Sequence, residues 1–181
     1  KMTDYILFDQ YSKEQRCEIW DGLDKNLDVQ KYADPRYTPW QMWKIRETME
    51  MGLDVTIMCN PDHDEFLTTV LQGTLIDGFD CRHYLDQGFS AGQINELRAG
   101  AKSKVAYLLY ANKQFNEEQM CTLREALEKG QDVAVVADPR YSAESMRLIL
   151  CAHQDGKIDV KAINHKMSYD DLCSHVNSFY R

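Results

Sequence analysis

No stretch of this chain approaches the roughly 20 consecutive apolar residues that a membrane-crossing helix requires, so no membrane is expected among its partners. Basic charge is scarce as well: 21 Lys and Arg stand against 29 Asp and Glu, a net charge of −8. Nucleic acid and anionic bilayers both demand a basic footprint, and the deficit excludes either as the main partner. Also missing is any C-x-x-C pair. Cys17, Cys59, Cys81, Cys121, Cys151 and Cys173 are scattered along the whole length, which reads as free thiols in a reducing compartment. The opening Lys1-Met2-Thr3-Asp4 puts no basic region ahead of an apolar stretch, which predicts no signal peptide and a cytoplasmic protein. There is no phosphate loop, H-E-x-x-H pair or nucleophile–base spacing, so neither a catalytic residue nor a cofactor is expected. The one candidate metal set is Cys59 and His63 followed by Cys81 and His83. Its second pair is separated by a single residue, an unusual spacing for structural zinc, and no metal is expected there.

What the chain has is a period. Hydrophobic residues at 44% and charged residues at 28% make it globular, and its apolar residues recur in a fixed frame. Ser12, Thr38, Asp64, Ser90, Asn116, Ser142 and Ser168 follow one another at a constant spacing of 26, and all are good helix N-caps. Gln15, Gln41, Gln93 and Gln119 stand three places after their caps, the spacing of a capping box. Ahead of the caps stand Tyr11, Tyr37, His63, Phe89, Phe115, Tyr141 and Met167, and four places beyond them Met42, Ile94, Met120, Met146 and Leu172. That pairing is a hydrophobic staple. Offsets 4, 7 and 11 from each cap trace one predicted apolar stripe, with Ile19, Ile45, Leu71, Leu97, Leu123 and Ile149 at its middle. Asn26, Gly52, Gly78, Lys104, Gly130 and Gly156, 14 after their caps, occupy the place of the left-handed residue that ends a helix. Each repeat thus opens with a helix of about 13 residues.

The second half of the repeat admits two readings. Asp132-Val133-Ala134-Val135-Val136-Ala137-Asp138-Pro139 has the short apolar run of a buried strand, whereas Val29, Tyr32 and Ala33 have the spacing of a short helix with Gln30 and Lys31 outward. The short helical turn is the favoured expectation. It gives an all-α fold, an α-solenoid of about seven 26-residue repeats. The strand reading gives a leucine-rich-repeat-like α/β solenoid instead. One unit cannot bury its own stripe, so neighbours must stack. No Gly/Ser/Pro-rich linker breaks the frame, and one repeat domain over 1–181 is expected. Residues 1–11, with Tyr5-Ile6-Leu7-Phe8, form an N-terminal cap, and 168–181 a C-terminal capping helix with Leu172, Val176 and Phe179 inward. The Asp or Asn that recurs as Asp34, Asn60, Asp86, Asn112, Asp138 and Asn164 reads as an Asx turn rather than a catalytic row. Arg46, Arg98 and Arg124, eight after their caps, are expected to lie along the core edge and pair with acids.

Gln41-Met42-Trp43-Lys44-Ile45-Arg46, then Gly52-Leu53-Asp54-Val55, then Ala137-Asp138-Pro139-Arg140-Tyr141 resemble the short tandem repeats of many Firmicutes proteins. Those read roughly Q-M-x-E-I-R-x-G-L-E-x-G-L-D-V-S-x-Y-A-D-P-x-F-D. The resemblance covers nearly the whole chain. It implies an association with conjugative and other mobile elements, and it brings no catalytic motif. Departures concentrate in the third repeat, where Leu67, Gln72 and Gln87 replace Gln, Arg and Pro. The fourth has Ala106-Tyr107 for Asp-Val, and the sixth is shifted by one, with Ile158 ahead of Asp159-Val160.

Offsets 2 and 5 lie off the stripe and face outward. Most repeats place residues such as Glu14, Cys17, Glu118 and Cys121 there, but the second carries Trp40 and Trp43 and the third Phe66. Equivalent positions on stacked helices stand about 10 Å apart, so Trp40, Trp43 and Phe66 are predicted to form an exposed aromatic patch that binds a partner. The sequence therefore points to a non-enzymatic repeat scaffold that binds another protein. The alternative is an acidic inhibitor or nucleic-acid mimic acting on a host defence or DNA-processing protein, suggested by the net charge and the resemblance.

Overall fold

The computed structural model describes residues 8–180, which form helices and turns with no strand among them. The helices are α1 Lys13–Asp24, α2 Pro39–Glu50, α3 Glu65–Asp77, α4 Arg82–Asp86, α5 Ala91–Lys102, α6 Glu117–Glu128, α7 Ala143–Gln154 and α8 Tyr169–Asn177. Every helix except the five-residue α4 begins one residue after a cap of the 26-residue frame, and each cap side chain accepts the N–H three places on. Those bonds satisfy donors that a helix start otherwise leaves open. At the other end, Asn26, Gly52, Gly78, Lys104, Gly130 and Gly156 all adopt positive φ, between 55° and 74°. Glycine reaches that region without strain; Asn26 and Lys104 must hold a Cβ there.

The short segments are 3-10 turns at Val29–Lys31, Thr56–Met58, Tyr107–Leu109 and Val133–Val135, and the helix α4 in the third repeat. The strand alternative is thereby overturned. Val133 and Val136 are buried, but they face inward three residues apart, as a tight turn allows. Asp34, Asn60, Asn112, Asp138 and Asn164 each accept the N–H two residues on, the Asx turns that reverse the chain after each short segment.

The chain folds as two compact units, Lys1–Asp86 and Gln87–Arg181. In the first, α1 packs on α2 and α2 on α3; in the second, α5 packs on α6, α6 on α7 and α7 on α8. Ile19, Met42, Ile45, Met58 and Leu71 are sealed in the first unit, and Ile94, Leu97, Met120, Leu123, Met146 and Ile149 in the second. The stripe differs from its predicted course in the last turn. Offset 11 is half-buried throughout, and the buried place is offset 10, occupied by Gly22, Thr48, Thr74, Gly100, Ala126 and Ala152. These residues are small because the short segment folds back on them. A Cβ at Gly22 would lie 1.9 Å from the Tyr32 hydroxyl, and one at Gly100 would lie 1.9 Å from that of Tyr110.

Two polar devices tie one repeat to the next. The first is the glutamine three places after the cap. Its Oε1 accepts the cap N–H and its Nε2 donates to two carbonyls 20 and 22 residues on: Gln15 to Pro35 and Tyr37, Gln41 to Pro61 and His63, Gln93 to Lys113 and Phe115, Gln119 to Pro139 and Tyr141. The second is an ionic module. Arg46 reaches Glu18 at 2.8 Å and also pairs with Glu50, while the Tyr32 hydroxyl, above Gly22, donates to the Glu18 carbonyl. Arg124, Glu96, Glu128, Tyr110 and Gly100 repeat the arrangement in the second unit, with Arg124 Nε 2.7 Å from Glu96.

Of the expected N-terminal cap, Tyr5-Ile6-Leu7 lies outside the described residues; Phe8–Gln10 is a 3-10 turn whose Phe8 ring stacks on Trp20 at 5.0 Å. At the C-terminal end, Leu172 and Val176 are buried as predicted. Phe179 is not: it is 40% exposed, because α8 ends at Asn177 and the following 3-10 turn Ser178–Tyr180 swings it off the stripe, edge-on to His175.

Candidate partner-binding face

Trp40 stands in the first turn of α2 and Trp43 one turn on, because a capped helix starting at Pro39 turns offsets 2 and 5 away from the stripe that carries Met42 and Ile45. Trp43 and Phe66 are exposed, and Trp40 is half-buried. The Lys44 ammonium lies 4.3 Å from the Trp43 ring centre and 5.9 Å from that of Trp40, so the two indoles share one cation. Phe66 is on the first turn of α3, the helix packed against α2.

Lys44 is held from below. Its Nζ lies 3.2 Å from Glu47, whose other hydrogen-bond partner is the Gln72 amide at 2.8 Å; Gln72 also donates to Thr48 at 3.1 Å. The Gln72 hydrogen bond, with Lys44 behind it, holds the Glu47 carboxyl below its ordinary range. The substitutions in this region explain one another. Where the ionic module operates, a glutamate six places after the cap faces an arginine eight places after the next cap. In the second repeat the first of those positions is Lys44, and an arginine at 72 would meet a like charge. Gln72 is uncharged and donates to Glu47 instead, and Glu47 holds the lysine beside the tryptophans.

Sequence reasoning missed three features. Trp20 is 48% exposed on α1; the available signal was an indole at offset eight, where Arg46, Arg98 and Arg124 stand in other repeats. Leu108 and Leu109, at 71% and 56% exposure, sit where the first repeat has Gln30 and Lys31. The reach of the cap-box glutamines into the next repeat had no local signal at all.

The third repeat offers little reactive chemistry. Burial pushes the thiols of Cys59 and Cys81 up, and Cys81 lies 3.5 Å from the Thr74 hydroxyl with no exposed surface. Among the described residues no group of three or more His, Cys, Asp or Glu side chains is placed to hold a metal ion, and no helix is long and apolar enough to cross a membrane. A groove of about 250 Å³ runs between Ile57, Leu75, Phe79 and Cys81, rimmed by Asp54, Asp80 and Arg82; Arg82 is paired with Asp80 at 2.9 Å. No protein-family model matches the chain, and no curated protein or solved structure is significantly similar to it.

Proposed function

We propose that this chain is a non-enzymatic α-solenoid scaffold, cytoplasmic and carried by a mobile element, that binds another protein through Trp40, Trp43 and Phe66. The observation that carries the reading is the indole pair around Lys44, Trp43 exposed and Trp40 half-buried. It sits at the one junction of the first unit where the Glu–Arg pairing is replaced by Lys44 and Gln72, so a polar network serves the aromatic face in place of the ordinary tie. Tryptophan concentrates binding energy at protein interfaces. The solenoid reading rests on the glutamine ties, which recur in the same geometry inside each unit. The raised thiols and the missing nucleophile–base spacing favour binding over catalysis. The alternative of an acidic inhibitor or nucleic-acid mimic has less support, since Glu18, Glu50, Glu96 and Glu128 are engaged by Arg46 and Arg124 rather than offered as a free negative surface.

The test is a comparison of the wild type with the Trp40→Ala/Trp43→Ala variant. Partners are captured from extract of the native host, and the recovered protein is then titrated calorimetrically. A loss of about 2 kcal/mol or more in affinity, with unchanged helical circular dichroism, supports the face. Equal affinity removes it. A variant that melts as early as Ile45→Ala, a core truncation costing about 2–5 kcal/mol, assigns the indoles to the fold instead.

A further inference from the structure

The residue ahead of each cap is an aromatic or apolar group in six of the seven repeats, and Tyr11, Tyr37, Phe89 and Phe115 are buried there. The third repeat has His63. Its staple partner is also polar: Thr68, sealed at 1% exposure, spends its hydroxyl on the Asp64 carbonyl at 2.8 Å. The imidazole is thus the only ring of this staple pair, and it is half-buried. Its Nδ1 is shut off from solvent and has no hydrogen-bond partner. The backbone beneath it is tied to α2, because the Gln41 amide donates to the His63 carbonyl at 2.6 Å and to that of Pro61 at 3.3 Å.

A neutral imidazole fits this slot. It keeps its single proton on Nε2 and presents Nδ1 as a bare acceptor among packed atoms. A protonated ring has a donor at both nitrogens, and the Nδ1 donor would be buried with no acceptor, a cost that falls on the folded state alone. The charged groups facing the ring are Asp62 and Asp64, both on its own loop. Asp64 is already the acceptor of the Leu67 N–H at 2.7 Å, and Asp62 is exposed. From α2 the group that reaches this residue is the uncharged Gln41 amide. Burial outweighs the two carboxylates, and the ring titrates below the usual histidine range.

We propose that His63 is an acid-sensitive joint between the second and third repeats: neutral, it staples α3 and keeps the Gln41 tie in place, and protonated, it leaves its slot and loosens the packing of α2 on α3. This holds whether or not the aromatic face binds a partner. The sign follows from linkage. The unfolded chain takes up the proton near the ordinary value of about 6.5, before the folded chain does, so the stability is fully present above that value and is lost as pH falls through it.

The experiment is urea unfolding of the full chain and of His63→Phe at about pH 7.5 and about pH 5.5, which bracket the ordinary imidazole value. The wild type should lose more of its midpoint between the two pH values than the phenylalanine variant does. Equal losses overturn the proposal. An NMR titration of the His63 ring carbons in the wild type gives a second readout, which decides the matter if the variant does not fold. Titration below free imidazole supports the joint, and titration at or above it overturns the joint.

Discussion

A single glutamine side chain connects three backbone groups in the repeats that have one. Gln119 accepts the Asn116 N–H at 2.7 Å and donates to the carbonyls of Pro139 and Tyr141. Replacing it with leucine keeps the volume and removes all three bonds. Each is worth about 1 kcal/mol net, and a carbonyl left without a donor adds to the loss. Gln119→Leu should therefore cost about 2–3 kcal/mol by urea unfolding, more than an ordinary cap-box change. The capping half of this role was legible in the sequence, since cap and glutamine are three residues apart. The other half was not, because the receiving carbonyls are 20 and 22 residues away and belong to backbone, which carries no side-chain signature. Trp43 and Phe66 were legible as outward residues for the same local reason, their offset from a cap. That Lys44 would lie across both indoles required knowing that Gln72 holds Glu47.

At the level of a helix and its return segment, two glycine-related positions are expected to respond in opposite senses. Gly100 lies under Tyr110, and the Cβ of Gly100→Ala would meet the tyrosine hydroxyl at 1.9 Å and the Tyr107 Cβ at 2.9 Å. The tyrosine must move off the Glu96 carbonyl it donates to, and a loss of about 1–3 kcal/mol is expected, as for other overpacked sites. Lys104, four residues on, holds φ at 58°. Lys104→Gly should raise stability by about 1 kcal/mol, because the left-handed penalty of a Cβ is removed. Thermal melts of the two variants should move in opposite directions, against the usual rule that adding glycine weakens a chain. The helix stops near 26, 52, 78, 130 and 156 were readable from sequence because glycine or asparagine marks the left-handed residue, and the one near 104 only from its place in the frame. The buried offset of 10 was not. Its occupants are glycine, threonine and alanine, and the neighbour that limits their size arrives from the following segment, a tyrosine over Gly22 and Gly100 and Cys81 beside Thr74.

For the molecule as a whole, the dependence of stability on pH should be a plateau with two edges. On the acid side, Asp138 is held down to about 2 by its hydrogen bonds from Arg140. Asp34 and Asp80 are lowered in the same way by Arg36 and Arg82, and Glu50 and Glu128 by hydrogen bonds from Lys25 and Ser103. Depressed carboxylates contribute stability above their unfolded values near about 4, and lose it as pH falls through the folded ones. On the alkaline side, burial pushes the Tyr37 phenol up to about 12 and those of Tyr32 and Tyr110 higher still. Raised groups act in the reverse sense, so stability is present below about 10 and lost above it. Urea midpoints measured from about pH 2.5 to about pH 11 should be flat between about 7 and 10 and fall beyond both ends. A continued rise below pH 4 would contradict the Asp–Arg pairing. The long helices were legible from the period and its caps; that the short segments are helical turns and not strands was only the favoured of two readings, because a segment of eight residues satisfies both spacings. The division into Lys1–Asp86 and Gln87–Arg181 was not, since the 26-residue frame runs through that boundary unbroken.

The ionic module recurs at an interval longer than the repeat. Glu18, Gly22, Tyr32, Arg46 and Glu50 have their counterparts in Glu96, Gly100, Tyr110, Arg124 and Glu128, each 78 residues later, a distance of three repeats. At one and two repeats the likeness fails: the glutamate position holds Lys44 and Val70, and the glycine position Thr48 and Thr74. The αL residues Asn26 and Lys104 obey the same interval, as do Leu67 and Ser145, two of the three places where the tying glutamine is lost; the third, Asp171, stands opposite Gln93. In the ionic module the chain therefore repeats itself at three steps more closely than at one, so a junction resembles the one three repeats away more than its own neighbour. A side chain of this module moved by one repeat would meet an unlike neighbour, whereas moved by three it would meet the partners it left.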